Sequence, residues 1–354
     1  MSVNNKLEDG ETRPFDEAEN EQPLFPNNNS VNSSFNKAKS RWITVEPVIF
    51  LAFIGNGTFS TIRSEYLQSR IAKDVYNYTY PTNSSCVIAN TSDPDYITEQ
   101  DIQADAANWS LYLSICGFLP LIFTAILIGK WSDYAGRKKA LVLPLIGMLI
   151  QSTVYLIVIA VHLPMPVLFA GEFAYGLTGG SPLLVSISLA YIADITTMVQ
   201  RTFRVVVVET SIVIPIGFAQ LAIGYLIQAS GFVPPFYLLL ASQLTAIAYM
   251  GIPGLLYESI QSKHEGGRLS SRMVKLFHGI TDLFAYNVDN RRWRLLLINA
   301  IFFPIIFVIY GYTSIITLYA IGQPFCWSSV LVGIYMAISL VLFSFSKYTL
   351  RLLC

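Results

Sequence analysis

From residue 42 the chain alternates between long apolar runs and short polar gaps. SLYLSICGFLPLIFTAILI (110 to 128) and ALVLPLIGMLIQSTVYLIVIAV (140 to 161) carry no charged residue, yet GKWSDYAGRKK (129 to 139) between them carries five. A helix needs about 20 apolar residues to cross a bilayer. That length predicts eight crossings, near 42–62, 108–129, 140–161, 165–193, 205–228, 234–256, 295–321 and 328–346. The pattern predicts an all-α polytopic membrane protein.

Composition agrees. Of 354 residues 53% are hydrophobic and 13% charged, where a soluble domain carries about 25% charged residues. The net charge is zero, and no segment has the basic excess that nucleic acid demands. A lipid bilayer is therefore the expected partner, and nucleic acid is excluded. Residues 1–41 are polar, rich in Asn, Ser and Glu, and without periodicity, which predicts a disordered tail. The tail lacks the basic-then-apolar order of a cleaved signal peptide.

Lys and Arg collect in cytoplasmic segments. They occupy the tail (Lys6, Arg13, Lys37, Lys39, Arg41) and the 129–139 gap (Lys130, Arg137, Lys138, Lys139). The others on this side are Arg201, Arg204, seven residues between Lys263 and Arg294, and Lys347 and Arg351 after the last span. Only Arg63, Arg70 and Lys73 fall in an outside gap, 63–107. This distribution puts the N-terminus in the cytosol. The expected units are the tail (1–41), a six-helix bundle (42–256), a cytosolic loop (257–294) and two further helices (295–354). The outer loop 63–107 carries sequons at Asn77, Asn83 and Asn90, expected as glycosylation sites. In the cytosolic loop, Met273, Leu276, Phe277, Ile280 and Phe284 keep a helical period, as in an amphipathic helix lying on the membrane face.

Three ionisable groups fall inside the expected spans: Glu46, Glu172 and Glu209. A charge at mid-membrane costs about 2.5–3.5 kcal/mol on insertion scales. These spans contain no basic residue, so proton uptake is the relief open to a carboxylate. Glu46, about four residues from the cytosolic end, fits a solvated position as well as a membrane one. Glu209 and Glu172 lie roughly 6–8 Å and about 10 Å from their span ends at helical rise. They are the candidates for proton coupling. Gly and Pro recur inside the spans, at GLTGGSP (176 to 182), IPIG (214 to 217) and IGNGT (54 to 58). Small residues let helices approach, and broken helices can also present backbone groups at a substrate site. Asn56, Thr58, Gly179 and Gly180 are candidates for lining such a cavity.

No enzyme constellation is present. Four Cys and three His show no metal-ligand spacing, and no phosphate-binding loop or nucleophile elbow occurs, so neither metal nor cofactor is expected. Cys86 and Cys326 fall in outside gaps, an oxidising setting, and topology leaves them as the one sensible bridge among three pairings. The sequence carries no signal for an oligomeric state.

GKWSDYAGRKK resembles the loop between helices two and three of the major facilitator superfamily. In such a loop Gly136 permits a tight turn, Asp133 can pair with Arg137 four residues on, and the basic cluster anchors the cytosolic side. Further stretches resemble the proton-coupled folate transporter family, solute carrier family 46. They are VEPVIFLA (45 to 52), YNYT before Cys86, NWSLYLSICGFL, SLAYIAD with QRTFRVVVVET, and IITLYAIGQPFCWSSVLVGIYMA (315 to 337). The resemblance implies a twelve-helix carrier in two six-helix halves, moving a small anionic organic solute with protons. This chain is then expected to hold the N-terminal six-helix bundle and the first two helices of the second. The resemblance also implies proton coupling at Glu209, an alternating gate at Asp133, Gly136 and Arg137, and a Cys86–Cys326 bridge. The sequence departs from the folate member at Glu172, Gly180 and Ile309, where that member has Arg, Asp and His, which argues against folate itself. An eight-helix chain is expected to be a fragment, a splice form or a mispredicted gene product. The alternative function is then a non-transporting decoy or regulatory membrane partner. ENEQPLF (19 to 25) resembles an acidic dileucine signal, and both plasma and lysosomal membranes fit.

Overall fold

A computed structural model describes residues 43–78, 94–256, 258, 291–321, 325 and 327–353. The helices are α1 (Glu46–Asp74), α2 (Pro94–Ala135), α3 (Arg137–Val161), α4 (Leu168–Leu177), α5 (Gly180–Ile195), α6 (Met198–Ser230), α7 (Val233–Gly251), α8 (Arg291–Ile321) and α9 (Ser329–Leu353). No strand occurs among the described residues. Four helices keep a proline inside them, at Pro120, Pro144, Pro215 and Pro304. Away from water, neighbouring helices can re-satisfy the backbone groups that a proline frees. Pro47 and Pro234 sit in the first turns of α1 and α7, where a missing N–H breaks no helical bond.

Five of the expected spans are long and apolar enough to cross a membrane: Tyr96–Asp133, Arg137–Val161, Met165–Ile195, Gln200–Ser230 and Val233–Gly251. The third of these contains α4 and α5. Helices α1, α8 and α9 cover the other three expected spans.

Two boundaries differ from the apolar count. Helix α1 runs twelve residues past Ile62, and α2 begins at Pro94 rather than near 108. Both extensions are amphipathic, not lipid-facing: Ile71 and Ala72 pack against Ile102, Ala106 and Leu318. An apolar run marks how far a helix is greasy, not where it stops.

Helix α1 is the axis of the bundle. Its buried positions include Val48, Ile49, Ala52, Ile62 and Leu67, and also Arg63, Glu65 and Gln68. Helix α2 instead leaves Leu111, Ile115, Phe118, Ile122 and Phe123 exposed, an apolar stripe suited to lipid. The connections sort to two ends. One end carries Gly136, the α5–α6 turn and the end of α7; the other carries Val75, His162 and Gly231. Below they are the Gly136 end and the His162 end.

Midway, Phe59 meets Tyr155 edge-on at 4.8 Å, and Tyr155 stacks on Phe236 at 6.0 Å. Phe236 is fully buried and also meets Phe59. The trio joins α1, α3 and α7. Phe236→Ala should therefore lower stability by about 3–5 kcal/mol, read from reversible unfolding in mixed micelles.

Candidate functional site

Glu172 is 3% exposed, and its carboxylate collects donors from two other helices. Oε1 accepts from the Tyr155 hydroxyl at 2.6 Å and from Arg63 Nη1 at 3.2 Å. Oε2 accepts from Gln151 Nε2 at 2.8 Å. Arg63 Nη2 donates in turn to Ser110 Oγ at 3.3 Å and Ser114 Oγ at 3.1 Å on α2. One ion pair thus ties α1, α2, α3 and α4.

This corrects the sequence expectation for Glu172. Proton coupling there rested on a carboxylate with no cation in reach. The cation exists: Arg63, which the apolar count assigns to the outer loop, is carried inward by the continuation of α1. Charge-assisted bonds of this kind are about twice as strong as neutral ones, and the network reads as a clamp between helices.

Glu46 is likewise buried, not solvated. Its Oε1 pairs with Arg204 Nη2 at 2.6 Å, and its Oε2 accepts from the Thr44 backbone N–H at 2.6 Å. Arg204 also donates to Thr44 Oγ1 at 2.9 Å. The start of α1 is thereby fixed to the start of α6.

The 129–139 connection forms a second charge cluster at the Gly136 end. Arg137 Nη1 lies 2.6 Å from Asp133, its Nε donates to Asp194 at 3.0 Å, and Nη1 also donates to Ser132 Oγ at 2.7 Å. Gly136 turns the chain with φ +105°, and a Cβ there would come within 2.6 Å of the Glu258 carboxylate. Only glycine meets both demands. Glu258 accepts from the Lys138 backbone N–H at 3.3 Å, at the positive end of α3. The expected Asp133–Arg137 pair is present. The sequence reading misses Asp194 and Glu258, although each is an acid beside a span end and SLAYIAD ends on the first.

Glu209 is placed differently. It lies on α6 in an exposed position, so the desolvation expected of a deep carboxylate is not met on this surface. The cavity candidates also divide. Thr58 is fully buried, and its hydroxyl donates to the Ile54 carbonyl at 3.0 Å and the Gly55 carbonyl at 3.1 Å. Gly179 and Gly180 are buried at the α4–α5 break with φ +84° and +52°. The break does not present free backbone to a substrate. Tyr175 fills it: its hydroxyl accepts from the Ser181 N–H at 3.0 Å and lies 2.8 Å from Ser181 Oγ. Thr58, Gly179 and Gly180 therefore pack helices and do not line an open cavity here; Asn56 alone of the four is partly exposed. Asn77 is exposed at the end of the α1 segment. Asn83, Asn90, Cys86, Cys326 and the 270–284 amphipathic segment lie outside the described residues.

The profile of the Major Facilitator Superfamily matches residues 40–353. The chain belongs to that superfamily, whose members are transporters and not enzymes. It is 30% identical to the lysosomal proton-coupled steroid conjugate and bile acid symporter of Gallus gallus, over 82% of this chain and 64% of that protein. It is also 30% identical to the proton-coupled folate transporter of Bos taurus, over 87% of this chain and 66% of that protein. The same transporter of Rattus norvegicus is 30% identical over 82% and 61%. These relatives belong to solute carrier family 46, as the sequence resemblance implied, and the chain spans a little under two thirds of their length.

Breaking the central clamp on one side leaves a buried charge alone, which costs about 3–5 kcal/mol. Arg63→Met and Glu172→Met should each lower stability by that amount. The double substitution should recover most of it, because neither charge is then stranded. Unfolding midpoints of the three variants in mixed micelles check this.

Proposed function

We propose that this chain serves proton-coupled symport of a small anionic organic solute across a plasma or lysosomal membrane. The observation that carries this reading is the match, over more than four fifths of the chain, to relatives named as proton-coupled transporters. The solutes in those names, folates and conjugated steroids or bile acids, are the class we assign. The Gly136 end faces the cytosol in this reading, because Lys130, Lys138, Lys139 and Arg201 gather there.

In this scheme the Arg137 cluster holds the cytosolic ends of α2, α3 and α5 together while the halves rock. Clamps at Arg63 and Arg204 keep the first bundle rigid. Glu209 carries the coupling proton. Its exposed position supports the role, since a coupling carboxylate must exchange with water on at least one side. The Cys86–Cys326 bridge and glycans at Asn77, Asn83 and Asn90 complete the proposal for the outer loops.

Uptake of a labelled folate or bile acid conjugate into proteoliposomes between pH 5.5 and 7.5 tests the reading. The unsubstituted chain should take up more solute at acid pH outside. Glu209→Gln fixes the neutral form and should abolish that acid dependence while leaving solute exchange. No pH-driven uptake by the unsubstituted chain would remove the proposal, and an unchanged profile in the variant would remove Glu209 from it. Asp133→Asn should slow uptake several-fold without inverting the chain, because Lys130, Lys138 and Lys139 still anchor the Gly136 end. Accessibility of the tail to protease in sealed vesicles reads the second point.

A further inference from the structure

Glu65 belongs to none of the clusters described. It lies on α1, 7% exposed, near the His162 end. Its Oε2 accepts from the hydroxyl of Ser329, the first residue of α9, at 2.6 Å. Its Oε1 is buried with no hydrogen-bond partner. One turn further along α1, Oε1 of Gln68 is in the same condition, and Gln68 is 3% exposed. Residues three apart on a helix are neighbours. Two bare acceptor oxygens thus sit on one face of α1 without a donor.

Among the described residues, no cation pairs with Glu65. On α1 itself, Arg63 donates to Glu172, Ser110 and Ser114, and Arg70 to Asp74, Tyr66 and the His162 carbonyl. Lys73 is exposed beyond them. From α6 the facing group is Gln220, which donates to Thr61 Oγ1 at 3.0 Å. From α9 it is Ser329, and α8 packs on α1 through Leu318, both uncharged. On α2, Asp105 and Glu99 accept from Tyr76 and Tyr78. Asp101 is exposed.

The seam around Glu65 is also tight. A Cβ on Gly224 of α6 would lie 2.7 Å from the Ser329 carbonyl oxygen, and one on Gly333 of α9 would lie 2.6 Å from the Gln220 carbonyl oxygen. Water has no room between α6 and α9 there. An unpaired carboxylate in such a place is expensive. A single proton on Glu65 Oε1 removes the charge and turns a bare acceptor into a donor on the face that also carries the bare Gln68 Oε1.

We propose that Glu65 is a proton site that latches the seam between the first bundle and α9. It is neutral while α9 is packed on α6. When α9 withdraws, water reaches the carboxyl group and the proton leaves. This deepens the transport reading by assigning proton release to opening at the His162 end. The sign follows from linkage: the closed seam binds one more proton than the open one, so it is favoured at low pH and gives way as pH rises.

The test reads the seam directly and does not depend on transport. Ala337→Cys puts a thiol two turns along α9 from Gly333's neighbourhood at Ser329, on the face of Gly333, at a position 6% exposed. The purified full chain in nanodiscs is treated with a maleimide from pH 5.5 to 8.5. Labelling of that thiol, corrected for thiolate fraction, is read by peptide mass spectrometry. We expect slow labelling at low pH, then a rise of about tenfold per pH unit, as one proton requires. Glu65→Gln, isosteric with the neutral form, should label slowly with no pH dependence. Ser329→Ala removes a donor to the charged form and should move the rise to higher pH. A flat profile in the chain with Glu65 intact overturns the proposal, as does the same rise in Glu65→Gln. Absence of pH-driven uptake alone would overturn the transport reading and leave the latch standing.

Discussion

The ion pair between Arg63 and Glu172 sets the terms for the rest of the bundle. Each charge alone would be costly away from water, and the pair repays that cost only with good geometry and further hydrogen-bond partners. Tyr155, Gln151, Ser110 and Ser114 supply them. Every one of these side chains must hold its place, so α1 through α4 have one mutual arrangement. The aromatic trio of Phe59, Tyr155 and Phe236 continues the same lock through the Tyr155 ring towards α7. A carrier half that moves as a body needs this kind of interior. Between helices in lipid, apolar contact supplies little preference for one register over another, whereas a fixed pattern of donors and acceptors supplies a strong one.

Much of this plan was legible in the sequence, because it follows from simple lengths and spacings. Long apolar runs mark the helices from α2 to α7, and the i,i+4 spacing of Asp133 and Arg137 marks their contact. Other parts were hidden for identifiable reasons. Counting apolar residues ends the first span at Ile62 and assigns Arg63, Glu65 and Gln68 to a loop. That count reads exposure to lipid, and α1 has little of it, since other helices enclose it. A central helix can carry polar residues that a lipid-facing helix cannot. The same error made Glu172 look unpaired and made Arg204 look like a topological charge rather than the partner of Glu46. Asn83, Asn90, Cys86 and Cys326 lie outside the described residues, and their expected roles stand on the sequence alone.

Glycine readings failed in a different way. Gly179 and Gly180 do mark a broken helix, as their sequence suggests, with both residues at positive φ. A break by itself says that backbone groups are freed, not what meets them. Here Tyr175, five residues before Gly180, reaches across and takes the Ser181 N–H. The N–H groups of Thr178, Gly179 and Ser181 are thus met locally, as buried backbone groups require. The relevant signal was the tyrosine, and a tyrosine in an apolar run has many other uses.

The two ends of the bundle are held by different chemistry, and the difference bears on how such a molecule could alternate. At the Gly136 end the contacts are between opposite charges: Arg137 with Asp133 and Asp194, and Arg204 with Glu46. These join helices within the first bundle, and they fix its shape whether or not the second half is near. At the His162 end the first bundle meets α8 and α9 through uncharged groups and one carboxyl: Gln103 with the Leu318 carbonyl, Gly224 with Ser329, and Glu65 with Ser329. None of these three contacts is an ion pair. Close packing holds the seam, and the proposal for Glu65 adds the protonation of a single side chain. On the proposal made for Glu65, the first bundle is a body stiffened by paired charges inside it, and its seam with α9 parts under the control of one proton.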